Sequence, residues 1–374
     1  MQRQRTFKLV LLSAITLLAV QLAWSRAQSQ RRMWTPNKTP VHTTFIGSQA
    51  CAECHADKVK THAQTPMGRA LETVAASEIL RTHTKLTFRA GPYSYEILRQ
   101  GEQSIYTVTD GKETISVPIL YAFGLGSAGQ TYVLQGKDGL LESRLSFYND
   151  IQGLDTTIGQ SREVPTSLVD AVGREMSRDE TMQCFSCHTT GAVKGGKLEF
   201  ANLVPGIGCE ACHGPGGDHI ALMSGNPKSK IQNPKSSEIF HPGKLSADDL
   251  SQEFCASCHR SVEDVTALPR LGGLNNVRFQ PYRIFNSKCY SDDRRISCIA
   301  CHDVHQPMKT EAAAYDAKCT ACHAPQSDGS TRLCKVEKKN CASCHMPKVE
   351  LPGAHFQFTD HRIRIARQGE PYPF

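Results

Sequence analysis

The chain has 374 residues, of which 39% are apolar, 21% charged and 7% aromatic, and its formal net charge is +7. Only one stretch, residues 9–24, is apolar enough to be weighed against a bilayer, which excludes a protein with several membrane-spanning helices. A chain with 28 Gly and 19 Pro and so modest an apolar fraction is lean for a core built from side chains alone.

Arg3, Arg5 and Lys8 precede the apolar run from Leu9 to Trp24, and Ser25-Arg26-Ala27 follows as a small-x-small cleavage site. This is the layout of a secretory signal peptide over residues 1–27. At 16 residues the run is shorter than the ~20 a spanning helix needs, so an uncleaved anchor is the weaker reading. No Cys follows directly, so no lipid anchor is indicated. Export predicts a periplasmic or extracellular protein, and cleavage takes Arg3, Arg5, Lys8 and Arg26 from the +7, leaving +3.

Residues 28–82 follow as an N-terminal segment. They begin with a polar leader to residue 45, and F-I-G-S-Q-A-C-A-E-C-H from Phe45 then predicts a helix with Ser48 as N-cap, ending near Pro66. Residues 83–165 change to period two: Thr84–Ala90, Tyr93–Gln100, Ser104–Asp110, Thr114–Phe123, Gln130–Gln135 and Leu140–Tyr148 are rich in Tyr, Val, Ile, Phe and Thr. Gly-containing turns separate them, which predicts an inserted antiparallel β-domain. It would serve as a scaffold or as a platform for a partner. Residues 166–374 form the remainder, in which Ser246-Ala-Asp-Asp249 resembles a capping box, T-E-A-A-A-Y-D-A-K is helical in composition, and G-P-G-G (214–217) and H-P-G-K (241–244) are turns.

Fourteen of the 16 cysteines fall in seven copies of Cys-x-x-Cys-His: Cys51/Cys54/His55, Cys184/Cys187/His188, Cys209/Cys212/His213, Cys255/Cys258/His259, Cys298/Cys301/His302, Cys319/Cys322/His323 and Cys341/Cys344/His345. Chance would give roughly 0.03 such pentapeptides at this composition, so the pattern carries chemistry. Two cysteines three apart each form a thioether to one haem vinyl group, and the next His reaches the iron as proximal ligand. Structural zinc sites need four ligands and do not require a His after every second Cys. The expectation is seven covalently bound haem c groups, about 50 residues of the mature chain to each, with the porphyrins themselves serving as core. Short helices and irregular coil around stacked haems should carry the motifs. The propionates would turn the +3 negative, so the basic balance is no nucleic-acid footprint.

The second axial ligand decides whether an iron only passes electrons or also binds a small molecule. Seven proximal His leave eight others: His305, His219, His361, His355, His83, His62 and His241 as distal candidates, with His42 to spare. His305, in C-H-D-V-H, lies three residues after His302 on the same helix face, and so must serve a neighbouring haem. Around His219, glycines let the backbone approach a haem edge, and His361 stands beside Asp360, where a carboxylate or carbonyl can hold its second ring nitrogen. Met67 reads as packing rather than a thioether ligand. In an exported protein the two remaining cysteines, Cys289 and Cys334, are expected to form a disulfide.

The strings I-G-S-Q-A-C-A-E-C-H with T-P-M-G-R-A, G-I-G-C-E-A-C-H-G-P-G, S-K-C-Y before I-S-C-I-A-C-H-D-V-H, and N-C-A-S-C-H-M-P-K with F-T-D-H-R-I resemble a family of exported multihaem cytochromes. That family is related to the tetrahaem partner of hydroxylamine oxidoreductase and, more distantly, to hydroxylamine oxidoreductase and pentahaem nitrite reductase. The resemblance implies parallel and perpendicular haem pairs forming a wire, with His305, His219 and His361 as distal ligands. There is no Cys-x-x-Cys-Lys motif, which the nitrite reductases use at their open haem. The expected function is thus electron carriage between redox proteins, such as a membrane quinol-oxidising complex and a terminal reductase or another cytochrome. A reductase of a small nitrogen or sulfur compound at one five-coordinate haem is the competing expectation, and self-association into an oligomer or conductive filament a third.

Overall fold

A computed structural model describes residues 34–225, 239–267, 273–291, 295–324, 334–367 and 369–373. The signal-peptide reading lies outside the described residues. The middle of the chain folds as the period-two pattern demands. Its strands are β1 (Leu71–Thr73), β2 (Lys85–Ala90), β3 (Tyr93–Gln100), β4 (Gln103–Thr109), β5 (Thr114–Gly126), β6 (Gly129–Gln135), β7 (Leu140–Tyr148), β8 (Gly153–Thr156) and β9 (Gly173–Glu175). β2 to β8 pair antiparallel in chain order, with β1 added on β5 and β9 on β7. β2 also comes up against β8, so the sheet curls most of the way to a barrel.

Alternation fixes which face is inside. In β3, Tyr93, Tyr95 and Ile97 are buried, and in β4 Ser104, Tyr106 and Val108, while the residues between them are half-covered. Register pairs Tyr95 with Val108 and Ile97 with Tyr106, so the large side chains meet across the strands. Two-residue turns close the hairpins β2–β3, β3–β4 and β5–β6, and four-residue loops the other three. Gly101, between β3 and β4, has φ +64, a conformation glycine adopts without steric cost. Tyr132, Leu134 and Phe147 complete this core, and the helix Glu78–Thr82, N-capped by Ser77, sends Leu80 into it. The sheet takes β1 from the N-terminal segment and β9 from the C-terminal one, so it extends past the 83–165 stretch at both ends.

The other described residues of the unit from Thr35 to Phe374 are short helices, coil and three small two-stranded sheets. Every Cys-x-x-Cys-His lies on or at the end of one helical turn. The carriers are Ser48–His62, Arg178–His188, Cys209–His213, Ala256–His259, Cys298–Cys301, Asp316–His323 and Cys341–His345. A full capping box starts Arg178–His188, with Ser177 and Glu180 bonding each other's backbone N–H; sequence reasoning missed it. At Ser246 the expected cap does form, as Ser246 Oγ accepts from Asp249 N–H at 3.1 Å, but the turn that follows, Asp249–Cys255, is a π-helix. The first helix stops at His62, short of Pro66. Ser48 is not its N-cap. Gly47 holds that position, and Ser48 Oγ accepts from Cys209 N–H of the third motif at 3.1 Å.

Phe147 is wholly buried at the centre of the sheet's core. Phe147→Ala should lower unfolding stability by roughly 3–5 kcal/mol, read as a lower urea midpoint by circular dichroism. A loss below about 1 kcal/mol would mean that the inside of the sheet is not close-packed.

Candidate haem sites

In six of the motifs, helical backbone puts the two thiols one turn apart on one face, the spacing two vinyl groups need. In the fourth, Cys255 is the last residue of the π-helix and Cys258 lies in the turn after it.

The motifs do not follow each other in space as they do in sequence. Cys51 of the first meets Cys209 of the third, and burial together with that neighbour pushes the Cys51 thiol up to about 11. Cys187 of the second meets Cys258 of the fourth; the hydrogen bond between them pulls Cys187 down and pushes Cys258 up. Cys255 of the fourth pairs in the same way with Cys298 of the fifth, which is pulled down. Cys212 of the third lies near both cysteines of the fourth. Cys319 of the sixth has Cys301 and Cys341 as neighbours, joining the fifth, sixth and seventh motifs. The result is one array in which the fourth motif meets the second and fifth and lies near the third.

Two clasps hold the array. The Glu210 carboxylate, inside the third motif and buried, accepts from Ile46 N–H (3.0 Å), Gly47 N–H (2.8 Å) and Gly216 N–H (2.9 Å), fixing the first motif's helix to the third. Asp316 accepts from Asn340 N–H (2.8 Å) and Cys341 N–H (2.9 Å), fixing the sixth motif to the seventh. The second motif rests on the sheet: Phe185 packs edge-on against Tyr121 and Phe123 of β5, and the His188 ring lies 5.1 Å from that of Phe123.

The histidines gather in two groups. One holds His55, His62, His213, His241 and His305; the other holds His188, His259, His302 and His361. Two imidazoles on opposite sides of one iron, each bonded at about 2.0 Å, have ring centroids roughly 6.3 Å apart. The observed separations are 6.2 Å for His302–His361, 6.1 Å for His213–His305, 6.4 Å for His213–His241 and 6.3 Å for His62–His305. Backbone carbonyls also hold several Nδ1 atoms: Ala70 O for His188 (2.9 Å), Phe240 O for His213 (2.9 Å), Arg364 O for His345 (2.8 Å) and Thr359 O for His361 (3.0 Å). A carbonyl only accepts, so each Nδ1 carries the proton and each Nε2 keeps its lone pair for a metal. Burial pulls His62, His213 and His302 below the ordinary imidazole value, and His361 to about 4, so all four stand neutral at neutral pH. The residues fit the haem group on both counts.

Cys54, Cys322 and Cys344 are exposed. Each is the second cysteine of its motif. The first cysteine of the same turn (Cys51, Cys319 or Cys341) is half-buried against a cysteine of another motif. A single turn has one side to give to a neighbour, and the helices Ser48–His62, Asp316–His323 and Cys341–His345 bury no side chain at all. These three thiols therefore face outward, as do the proximal candidates His55 and His323.

Several expectations need correction. His305 is not on a helix face shared with His302: the helix ends at Cys301, His302 is extended, and a turn in which Asp303 Oδ1 accepts His305 N–H carries His305 away to His213 and His62. Of the carboxylate or carbonyl expected to hold the ring of His361, it is the carbonyl of Thr359 that does so, and Asp360 is engaged by two arginines. His355 gives its Nε2, the usual iron-binding atom, to Asp155 Oδ2 at 2.7 Å and packs on Tyr148 of β7; its geometry is that of a tie to the β-domain rather than an iron ligand. His83 packs on Phe147, with Nδ1 on Ile79 O. His219 is half-buried on the helix Gly217–Met223, and His241 is exposed. The expected Cys289–Cys334 disulfide is not made in this structure, because Cys334 is an exposed thiol while Cys289 lies near Cys319.

Sequence reasoning missed Glu210 and Arg283. The only signal for Glu210 is a carboxylate inside a motif whose other variable position is Ala; Arg283 has none.

The family described as "Cytochrome c554 and c-prime" matches residues 157–214, which carry the second and third motifs. The chain is 27% identical over 183 residues to the multiheme cytochrome MtrA of Shewanella baltica (strain OS185), covering 44% of this chain and 45% of the relative. It is 32% identical over 87 residues to cytochrome c-554 of Nitrosomonas europaea, covering 21% and 35%. The matches thus span less than half the length of either relative. A solved structure, the outer cell wall cytochrome OcwA, aligns over 57% of this chain and 37% of its own with a TM-score of 0.30 and 19% identity. Among the described residues no helix is long and apolar enough to cross a membrane.

Glu210→Ala strips the acceptor from three backbone N–H groups between the first and third motifs. It should cost roughly 1–3 kcal/mol for each group left unsatisfied, measured by thermal unfolding, with Glu210→Gln recovering part of the loss. The motif geometry and the imidazole spacing suit covalently attached haem c, and over part of its length the chain is similar to multihaem c-type cytochromes.

Proposed function

We propose that the chain is an exported heptahaem cytochrome that carries electrons between redox partners, in the periplasm or outside the cell. The observation that supports this most strongly is that cysteines of different motifs lie near one another, first with third, third with fourth, fourth with fifth, and sixth with fifth and seventh. Each haem supplies a one-electron ferric–ferrous couple. Backbone carbonyls hold the imidazoles of His188, His213, His345 and His361 in one tautomer, and burial favours the neutral form of His188, His213 and His361. In the ligand set we propose, His361 stands opposite His302, and His305 or His241 opposite His213, with His62 and His219 serving other irons. Partners of the kind named above, a quinol-oxidising complex on one side and a reductase or second cytochrome on the other, suit a conductor with several ends.

A second reading has one observation in its favour. His355 and His83 are both engaged with the β-domain, which leaves fewer distal imidazoles than irons. An iron without a sixth ligand would be open to a small nitrogen or sulfur compound, and the protein would then be a reductase.

Mass spectrometry of the mature protein from a host competent in cytochrome maturation should show seven haem additions, falling to six in Cys184→Ala/Cys187→Ala. Electron paramagnetic resonance then separates the two readings. An all low-spin oxidised spectrum, unmoved by cyanide or nitrite, is expected of the carrier; a high-spin signal that shifts with either ligand would replace it with the reductase.

A further inference from the structure

The largest fully buried side chain among the described residues is an arginine, Arg283. Its guanidinium forks onto Asp360, Nε to Oδ1 at 2.8 Å and Nη2 to Oδ2 at 3.0 Å, and both side chains are 0% exposed. Arg364 adds Nη1 to Oδ2 at 2.7 Å. Two guanidinium groups on one carboxylate leave a net positive charge in the interior. Burying charge costs several kcal/mol per ion and is a poor way to gain stability, so the cluster calls for another explanation.

Its surroundings supply one. The remaining Arg283 donors go from Nη1 to Asn276 Oδ1 (3.2 Å) and Pro373 O (2.9 Å), and the Tyr372 ring lies 4.6 Å from the guanidinium carbon. Asp360 Oδ1 also accepts from Arg362 N–H at 3.0 Å. Ser287, four residues after Arg283, donates to the His361 carbonyl (3.1 Å) and accepts from Ile363 N–H (2.7 Å). The backbone on both sides of His361 is therefore pinned to the helix Gln280–Phe285 and the residues just after it. The same strand of coil reaches the seventh motif, where Arg364 N–H donates to His345 O (3.1 Å) and Arg364 O holds His345 Nδ1.

The geometry points to Arg283, Asp360 and Arg364 as a positioning cluster for the iron ligand His361, one that fixes its ring opposite His302 and raises the reduction potential of the haem at Cys298/Cys301. A ferric haem gains an electron on reduction, and uncompensated positive charge nearby in a medium of low dielectric favours the reduced state. This rests on the proposed ligand pairing and on that haem being present.

Spectropotentiometric titration of the full-length holoprotein tests it, with seven haems first verified by mass in each variant. Arg283→Met and Arg364→Met, which remove a positive charge, should each move one midpoint potential down. Asp360→Asn, which removes a negative one, should move the same midpoint up. Arg283→Lys keeps the charge and loses the fork, so its potential should stay near the wild type while the low-spin resonance of one haem changes anisotropy as the His361 ring turns. A purely structural role predicts shifts of one sign in all four, and that result, or unmoved potentials and resonances, would overturn the inference. Should Arg283→Met fail to fold, Arg364→Met, at a side chain 17% exposed, carries the sign comparison with Asp360→Asn. A wild-type protein lacking haem at Cys298/Cys301 would instead remove the underlying functional reading.

Discussion

A helical turn holding two thiols and closed by an imidazole is the constraint from which the rest of this structure follows. The turn is only about five residues, too short to be stable alone, and isolated helices of that length are marginal in water. Each must be held by something outside itself. The chain solves this with fixed acceptors: Ala70, Phe240 and Arg364 offer carbonyls to His188, His213 and His345, and Glu210 and Asp316 tie one motif's backbone to another's. The same bonds that position the turns also settle which imidazole nitrogen is free. Local geometry and ligand chemistry are set by one group of contacts.

The β-sheet has a comparable place in the architecture. It buries an ordinary core of Tyr, Leu, Ile and Phe, and its outer strands are drawn from both flanking segments. Phe123 of β5 backs His188, and Asp155 with Tyr148 takes His355. A sheet stiffened by its own packing thus gives the helical part a rigid wall, which suits the scaffold reading better than that of an independent insert.

Much of this was legible in the residues. Period-two runs located β2 to β7 to within a few positions, because side chains alternate across a pleated surface and one face had to be apolar; the short strands β1, β8 and β9 gave no such run. The Cys and His spacing marked seven short turns, and each lies on or beside a helix. It said nothing of their surroundings: Cys54 and Cys212 hold the same place in two motifs, yet one is exposed and the other half-buried. What sequence did not show was which groups meet at long range. Ser48 sits where an N-cap belongs, yet its hydroxyl is used 161 residues away on Cys209. His305 follows His302 closely, but whether the helix continues past Cys301 is decided by tertiary contacts, not by composition. Arg283 has no neighbouring signal at all, because its partners lie 77 residues on at Asp360.

The interleaving of the attachment turns, first with third and second with fourth, bears on the order in which the molecule can assemble. The first turn's partner lies beyond the whole β-sheet, so its contacts form only after most of 161 residues have been made. Closing loops of that length is slow, and until they close the early cysteines stay accessible. The topology thereby leaves the cysteines of each turn open to chemistry until the long loops close.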